Sequence, residues 1–154
     1  MNKLITIIAV CLTLLSCDIK FDPSAASAIN NITDSKGINI QLEWTDALGS
    51  TANGLNNVDL DMYLLLGYDT LSRSIEENTF EELQLDDHFL NLSYDLYVDY
   101  FSGKDIAYFD LFVSGQSNSQ EVIKIEGIVQ PDSLMQLTKL VSIYKNNDTY
   151  TVSY

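Results

Sequence analysis

The stretch that decides the fold is YDLYVDYF (94–101), which the four residues SGKD (102–105) connect to IAYFDLFV (106–113). In both segments apolar and polar side chains alternate with a period of two residues, the pattern of a half-buried β-strand. A four-residue link that contains glycine is a common hairpin length. The two segments are therefore predicted to pair as neighbouring antiparallel strands.

The predicted hairpin has two unlike faces. The face predicted to be core is almost entirely apolar and carries Tyr94, Leu96, Val98, Tyr100, Ala107, Phe109, Leu111 and Val113. The other face alternates rings with aspartates, and a ring can stack on a sugar or a peptide while a carboxylate accepts hydrogen bonds. The predicted ligand-binding residues are Tyr97, Asp99, Tyr108 and Asp110. The alternative is that C-terminal strands cover this face and leave the aspartates at its rim.

Further segments with the same alternation lie on both sides of this pair. They are INIQLEWT (38–45), VDLDMYLLL (58–66), TLSRSI (70–75), FEELQL (80–85), EVIKIEGIV (121–129), KLVSIYK (139–145) and TYTVSY (149–154), the last two joined by the turn-forming NND (146–148). Ser74 with Glu77 could instead form a capping box and begin a short helix. Many short alternating strands predict an all-β fold: an antiparallel β-sandwich of about eight strands, such as a jelly roll.

The N-terminus has the layout of an export signal. Lys3 precedes the apolar run 4–15, which is too short to span a bilayer core and fits a signal peptide. The residues LLSC (14–17) resemble the lipobox of bacterial lipoproteins. In that family the cysteine sulfur receives a diacylglyceryl group, the chain is cut before the cysteine, and the new amine is acylated. The resemblance implies that Cys17 carries fatty chains such as palmitate. Cys11 is a weaker candidate, and an ordinary cleaved signal peptide is the alternative.

This N-terminus predicts the organisation of the chain. Residues 1–16 are a lipoprotein signal peptide, 17–37 a lipidated flexible tether, and 38–154 the β-sandwich domain. The expected location is the bacterial cell envelope, attached by lipid to the outer membrane on its periplasmic or surface side, with the inner membrane as the alternative. The two cysteines, Cys11 and Cys17, both precede the predicted domain, so the domain is expected to have neither a disulfide nor a Cys metal site.

Residues 42–114 are similar to the bacterial pre-peptidase C-terminal domain, a small β-sandwich found on secreted enzymes. The residues that carry this resemblance are LEW (42–44), VDLDMYLL (58–65), YDLYVDYFSG (94–103) and AYFDLFVSG (107–115). The chain departs from the family where GYD (67–69) replaces an Asp-Pro-x-Gly-like turn. The resemblance implies a non-catalytic binding or localisation module, sometimes with calcium near a sheet edge.

Charge narrows the choice of partners. The chain has 22 acidic and 8 basic residues and a net charge of −14, which opposes binding to nucleic-acid backbones. An acidic surface keeps a domain soluble, and it can also attract calcium. Asp59 and Asp61 are two residues apart and therefore project from one face of a strand. They are the predicted metal site, with calcium as the possible ion and a solvated strand face as the alternative.

No catalytic constellation is evident. His88 is the only histidine and lies in the loop-like LDDHF (85–89), without a nucleophile motif beside it. The sequence therefore predicts no enzyme and no organic cofactor. It predicts a membrane-anchored module that binds a glycan, a protein or calcium. The alternative is an accessory subunit of a larger envelope or surface assembly. Thr70 and Ser133 resemble acceptors of a periplasmic O-glycosylation motif.

Overall fold

The computed structural model describes residues 30–49, 57–131 and 136–154, which form two antiparallel sheets packed as a sandwich. The six-stranded sheet contains, in pairing order, β1 (Asn31–Thr33), β10 (Thr149–Ser153), β9 (Thr138–Asn146), β6 (Ser93–Gly103), β3 (Val58–Leu66) and β4 (Asp69–Ser74). The four-stranded sheet contains β5 (Phe80–Asp86), β2 (Gly37–Thr45), β7 (Ala107–Gly115) and β8 (Val122–Val129). The all-β antiparallel sandwich is confirmed, with ten described strands where about eight were predicted.

The core lies between the two sheets and consists of their inward rows. Along β6 and β7 the buried residues are those of the predicted apolar face, from Tyr94 to Tyr100 and from Ala107 to Val113. Trp44 is also buried, and its indole Nε1 donates to the carbonyl of Val58 at 3.3 Å, which joins the ends of β2 and β3. Burying a large apolar side chain contributes about 1.5–3 kcal/mol, so these rows are the main source of stability.

The predicted pairing of β6 with β7 is wrong. β6 lies between β3 and β9 in the six-stranded sheet, whereas β7 lies between β2 and β8 in the four-stranded sheet. The two apolar rows face each other across the core instead of lying side by side. Alternation shows which side chains are buried, and it is satisfied equally well by both arrangements.

Hydrogen bonds at the corner after β6 direct the chain into the opposite sheet. The backbone N–H of Lys104 donates to the carbonyl of Asn57 at 2.9 Å, and the hydroxyl of Tyr100 donates to the carbonyl of Asp105 at 2.7 Å. Gly103 has a φ of +129°, a conformation that side-chain-bearing residues rarely adopt. Asn57, directly before β3, and Tyr100, near the end of β6, therefore fix the corner through these hydrogen bonds.

The domain begins earlier than the predicted boundary at residue 38. β1 lies within the segment 17–37 that was predicted as a tether, and its central residue, Ile32, is buried in the core. A three-residue strand is too short to show a period, which explains why the pattern missed it. The signal peptide (1–16) and Cys17 lie outside the described residues.

A buried carboxylate fastens this N-terminal segment to the sandwich. Asp34 accepts hydrogen bonds from the backbone N–H groups of Lys36 and Ser117 at 2.8 Å and of Asn118 at 3.0 Å. Burial alone would raise the pKa of Asp34, but these hydrogen bonds and that of the Ser117 hydroxyl outweigh it and lower the pKa. Asp34 therefore connects the β1–β2 link to the turn between β7 and β8.

Two local expectations have clear outcomes. The turn between β9 and β10 is confirmed, and Asn147 occupies it with a φ of 53°. The alternative helix at Ser74 is not formed, because β4 ends at Ser74 and an irregular link leads to β5 in the other sheet. Within the described ranges, no helix has the length and apolar character needed to cross a membrane.

Candidate functional site

The four residues predicted to bind a ligand do not form one surface. Tyr97 and Asp99 lie on the outer face of the six-stranded sheet, and Tyr108 and Asp110 lie on the outer face of the four-stranded sheet. Packed sheets are about 10 Å apart, and outward side chains add to that distance. The predicted four-residue site is therefore wrong, and each half has to be considered with its own neighbours.

The outer face of the four-stranded sheet contains a cavity of about 500 Å³, which we call the acidic groove. Its lining includes Glu43, Thr45, Phe80, Tyr108, Asp110 and Glu126. These residues come from four adjacent strands, so the groove crosses the sheet instead of following a loop. Side chains mounted on strands are held more rigidly than side chains on loops, which favours a preformed site.

Three carboxylates lie in a row across the acidic groove. Asp110 on β7 is directly opposite Glu43 on β2 and directly opposite Glu126 on β8. Like charges in directly opposed positions destabilise a sheet unless a counter-charge compensates them. The row is consequently a place where an added positive charge would be favourable.

One lysine compensates part of this row. The Nζ atom of Lys124 is 3.2 Å from Asp110 Oδ2 and also donates to Glu126 Oε1. The hydrogen bond to Glu126, followed by that to Asp110, raises the pKa of Lys124. Glu43 accepts a hydrogen bond from the Gln41 amide at 2.9 Å, and among the described residues it has no ion-pair partner. Glu43 is therefore the least compensated carboxylate of the row.

Two aromatic rings flank the same part of β2. Phe80 on β5 is opposite Glu43, and Tyr108 on β7 is opposite Thr45. Phe80 is 41% and Tyr108 48% exposed, so both rings offer apolar surface to a ligand. The acidic groove therefore combines stacking surfaces with hydrogen-bond acceptors.

The outer face of the six-stranded sheet brings together residues from both predicted sites. Asp61 on β3 is directly opposite Asp99 on β6, and Asp59 lies two residues before Asp61. Asp61 is only 8% exposed and accepts a hydrogen bond from the Tyr63 hydroxyl at 3.2 Å. Asp59 Oδ1 and Asp99 Oδ1 are buried without a hydrogen-bond partner. These are unusual positions for carboxylates, since buried polar atoms are nearly always paired.

Burial changes the ionisation of these three aspartates. It raises the pKa of Asp99 and of Asp59, to which the charge of Glu77 adds. It also raises the pKa of Asp61, to which the charges of Asp59 and Asp99 add, whereas the hydrogen bond from Tyr63 and the charge of Arg73 act in the opposite direction. We call Asp59, Asp61 and Asp99 the aspartate cluster. Its negative charge is unfavourable for folding, and a bound cation would reduce that free-energy cost.

A separate acidic loop has the tightest convergence of possible metal ligands among the described residues. Ligand atoms of Asp86, Asp87 and His88 all lie within 4.8 Å of one another, a spacing that the set of Asp59, Asp61 and Asp99 does not reach. The His88 side chain is 87% exposed, and its Nδ1 is 2.9 Å from Asp87 Oδ1. His88 lies in a turn between β5 and β6, as predicted, and its open surroundings are those of a solvated loop.

Sequence reasoning missed Glu43, Phe80 and Glu126. Each occupies an outward-facing position of an alternating segment. Nothing in the sequence shows that the three positions align across neighbouring strands. The same limit applies to Asp99, whose position opposite Asp61 depends on the pairing of β3 with β6. Thr70 lies on β4 and is exposed, whereas Ser133 lies outside the described residues; their glycosylation stays a prediction.

Comparison of the chain with family models, with curated proteins and with solved structures finds no match. The resemblances to the lipobox and to the pre-peptidase C-terminal domain therefore stay predictions. The class that the fold defines is an antiparallel β-sandwich with an acidic groove on one outer face and a buried aspartate cluster on the other.

Proposed function

We propose that this protein is a lipoprotein of the bacterial envelope, anchored through lipid on Cys17, whose sandwich is a non-catalytic binding module. The lipobox-like residues 14–17 support the anchor, and the expected membrane is the outer one. The observation that carries the binding role is the acidic groove, a cavity of about 500 Å³ in which half-exposed rings stand beside carboxylates. Ligand sites typically combine apolar walls with a few well-placed polar groups.

Thermal stability in the presence of ligands tests this role. A ligand that binds only the folded state adds about 2.7 kcal/mol to the free energy of unfolding when its concentration is a hundred times Kd. The melting temperature rises as a result. We expect a neutral hexasaccharide or an arginine-containing peptide to stabilise the full chain in detergent. The gain should disappear in Tyr108→Ala and persist in Tyr97→Ala, which removes a ring from the opposite outer face.

Two results would count against the binding role. One is the absence of stabilisation by either class together with stoichiometric co-purification of an envelope protein, which would favour the accessory subunit. The other is equal loss of stabilisation in Tyr97→Ala, which would place the ligand on the wrong face.

Calcium binding is a second candidate, favoured by the unpartnered oxygens of the aspartate cluster. Asp99 on β6 is directly opposite Asp61 on β3, Asp59 lies two residues before Asp61, and Asp59 Oδ1 and Asp99 Oδ1 are the two oxygens without a hydrogen-bond partner. Calcium takes several carboxylate oxygens at 2.3–2.6 Å in flexible geometry. Because these carboxylates do not converge as a set, binding would draw them together.

The same thermal measurement distinguishes this candidate. Addition of 5 mM CaCl₂ should raise the melting temperature by about 3 °C, which corresponds to roughly 1 kcal/mol for a domain of this size. An equal concentration of MgCl₂ should have less effect, because magnesium demands stricter geometry. Asp99→Asn should abolish the response, and Glu82→Gln, an exposed acid on the other sheet, should retain it. An unchanged melting temperature of the parent in calcium would rule the site out.

A further inference from the structure

We infer that the acidic groove binds an arginine-bearing peptide segment of a partner protein. This inference rests on the proposed function and names the chemical class of its ligand. It follows from three features of the groove: the charges that line it, the spacing of its carboxylates, and the position of its rings.

The charge of the groove favours a cationic ligand over a neutral one. Glu43, Asp110 and Glu126 all line it, and no lysine or arginine does among the described residues. Lys124 borders the row and contacts Asp110 and Glu126, which leaves Glu43 without a counter-charge. A neutral sugar could accept and donate hydrogen bonds there, but it would leave the repulsion between opposed carboxylates in place. The net charge of −14 also attracts cationic partners at long range.

The spacing of the carboxylates favours arginine over lysine. Glu43 and Asp110 are directly opposite each other on neighbouring strands, which lie about 4.8 Å apart. A guanidinium group is a planar fork with five N–H donors, so one group can donate to both carboxylates. An ammonium group is a compact and strongly hydrated charge, and it gains less from two fixed acceptors.

The rings supply the second contact that a guanidinium uses. Tyr108 lies on the same strand as Asp110, two residues away and on the same outer face. Its exposed ring can therefore stack on a guanidinium held by Asp110, a favourable cation–π contact. Phe80 lies on the other side of Glu43 and can contact the aliphatic part of the same side chain or a neighbouring residue of the peptide.

The opposite outer face does not offer the same combination. There Tyr97 is paired with Lys139, whose Nζ is 2.7 Å from Asp95 Oδ1. Arg73 is opposite Tyr63 on the neighbouring strands, so the central rings of that face already have basic residues beside them. A basic peptide is therefore directed to the four-stranded sheet.

Peptide binding to the full chain in detergent tests this inference by fluorescence anisotropy. The probe is a fluorescein-labelled hexapeptide of alternating arginine and glycine, with matched lysine and citrulline versions. Citrulline keeps the shape of arginine and removes its charge. We expect the citrulline peptide to bind at least about tenfold more weakly and the lysine peptide about threefold more weakly, as the loss of charge-assisted hydrogen bonds predicts.

Matched variants localise the site. Glu43→Gln and Asp110→Asn should each weaken binding of the arginine peptide about tenfold. Glu82→Gln removes the same charge from the same sheet, two positions along β5 from Phe80, and should change Kd less than about twofold. Melting temperatures of the variants confirm that each one is folded.

The outcomes separate this inference from the proposed function. Binding of a neutral hexasaccharide that Tyr108→Ala abolishes, without arginine-peptide binding, would overturn the inference and leave the binding module intact. Equal losses in Glu43→Gln and Glu82→Gln would also overturn it, because they would indicate a general effect of net charge. Failure of both ligand classes would overturn the proposed function as well.

Discussion

Replacement of Gly103 by alanine should destabilise the protein by about 4 kcal/mol, which is most of the stability of a domain at the lower end of the usual range. Gly103 has a φ of +129°, and a Cβ built on it would lie 2.2 Å from the carbonyl oxygen of Asn57 and 2.7 Å from the Tyr100 hydroxyl. The cost has two sources. The backbone strain contributes about 1–3 kcal/mol, and displacement of Asn57 removes the hydrogen bond from Lys104.

Chemical denaturation measures this effect, and Gly67→Ala is its matched control. Gly67 also has a positive φ, of 63°, but an added Cβ there would have no atom within 4 Å. We expect Gly67→Ala to cost about 1 kcal/mol, the strain of one residue in the left-handed region. Equal losses in the two variants would mean that the corner after β6 is not packed against Asn57 as described.

Replacement of Glu81 by glutamine should stabilise the protein by about 2 kcal/mol at pH 8 and change little at pH 5. Glu81 is completely buried on β5, an edge strand of the four-stranded sheet, and its Oε2 has no hydrogen-bond partner. Burial raises its pKa to about 7, although hydrogen bonds from Ser74 and from the Glu76 N–H act in the opposite direction. A raised pKa means that the folded state holds the neutral acid more favourably than the unfolded chain does.

The direction of the pH effect follows from these values. The stability that Glu81 contributes is complete below its ordinary pKa of 4.5 and is lost as the pH rises through about 7. The rise in the pKa of Glu81 from 4.5 to about 7 corresponds to about 3 kcal/mol of unfolding free energy, at 1.36 kcal/mol for each pKa unit. The unpartnered amide of glutamine offsets part of the gain at pH 8. Inward-pointing charges on edge strands oppose edge-to-edge pairing, so the variant should also aggregate more readily.

Urea denaturation of the parent and of Glu81→Gln at pH 5 and pH 8 measures this effect. Glu82→Gln is the control, because Glu82 is the next residue on β5 and points into solvent. Its stability should depend on pH as that of the parent does. A Glu81→Gln variant with the same stability difference between pH 5 and pH 8 as the parent would contradict the assignment of Glu81 as a buried carboxyl.

The burial pattern could be predicted from the sequence, but the arrangement of the strands could not. Alternation placed Leu96, Val98, Phe109 and Leu111 in the core correctly, because each strand needs one apolar face wherever it lies. The partner of each strand depends on corners such as the one at Gly103, where the N–H of Lys104 donates to the carbonyl of Asn57, which is distant in the sequence. A short glycine-containing link is compatible both with a hairpin and with a crossing between sheets.

The candidate site depended on strand pairing and register, which alternation does not give. Tyr108 and Asp110 were predicted with the wrong partners. Asp110 is opposite Glu43 on β2 and Glu126 on β8, and Tyr108 is opposite Thr45 and Ile128 on the same two strands, whereas the prediction paired both with residues of β6. Asp59 and Asp61 were placed correctly on one face of their strand, but Asp99 joins them only through pairing of β3 with β6. Cross-strand register is a tertiary property, so a site built across strands is invisible in the sequence of any one strand.

Metabolic labelling is the most direct test of the claim that this sandwich is carried on a membrane by lipid on Cys17. Cells expressing the full chain are supplied with an alkyne analogue of palmitate, and the chain is then followed in membrane and soluble fractions. We expect the parent and Cys11→Ser to be labelled and to sediment with membranes, because more than one acyl chain gives stable anchoring. Cys17→Ser should carry no label. Labelling and membrane retention of Cys17→Ser equal to those of the parent would contradict the proposed anchor.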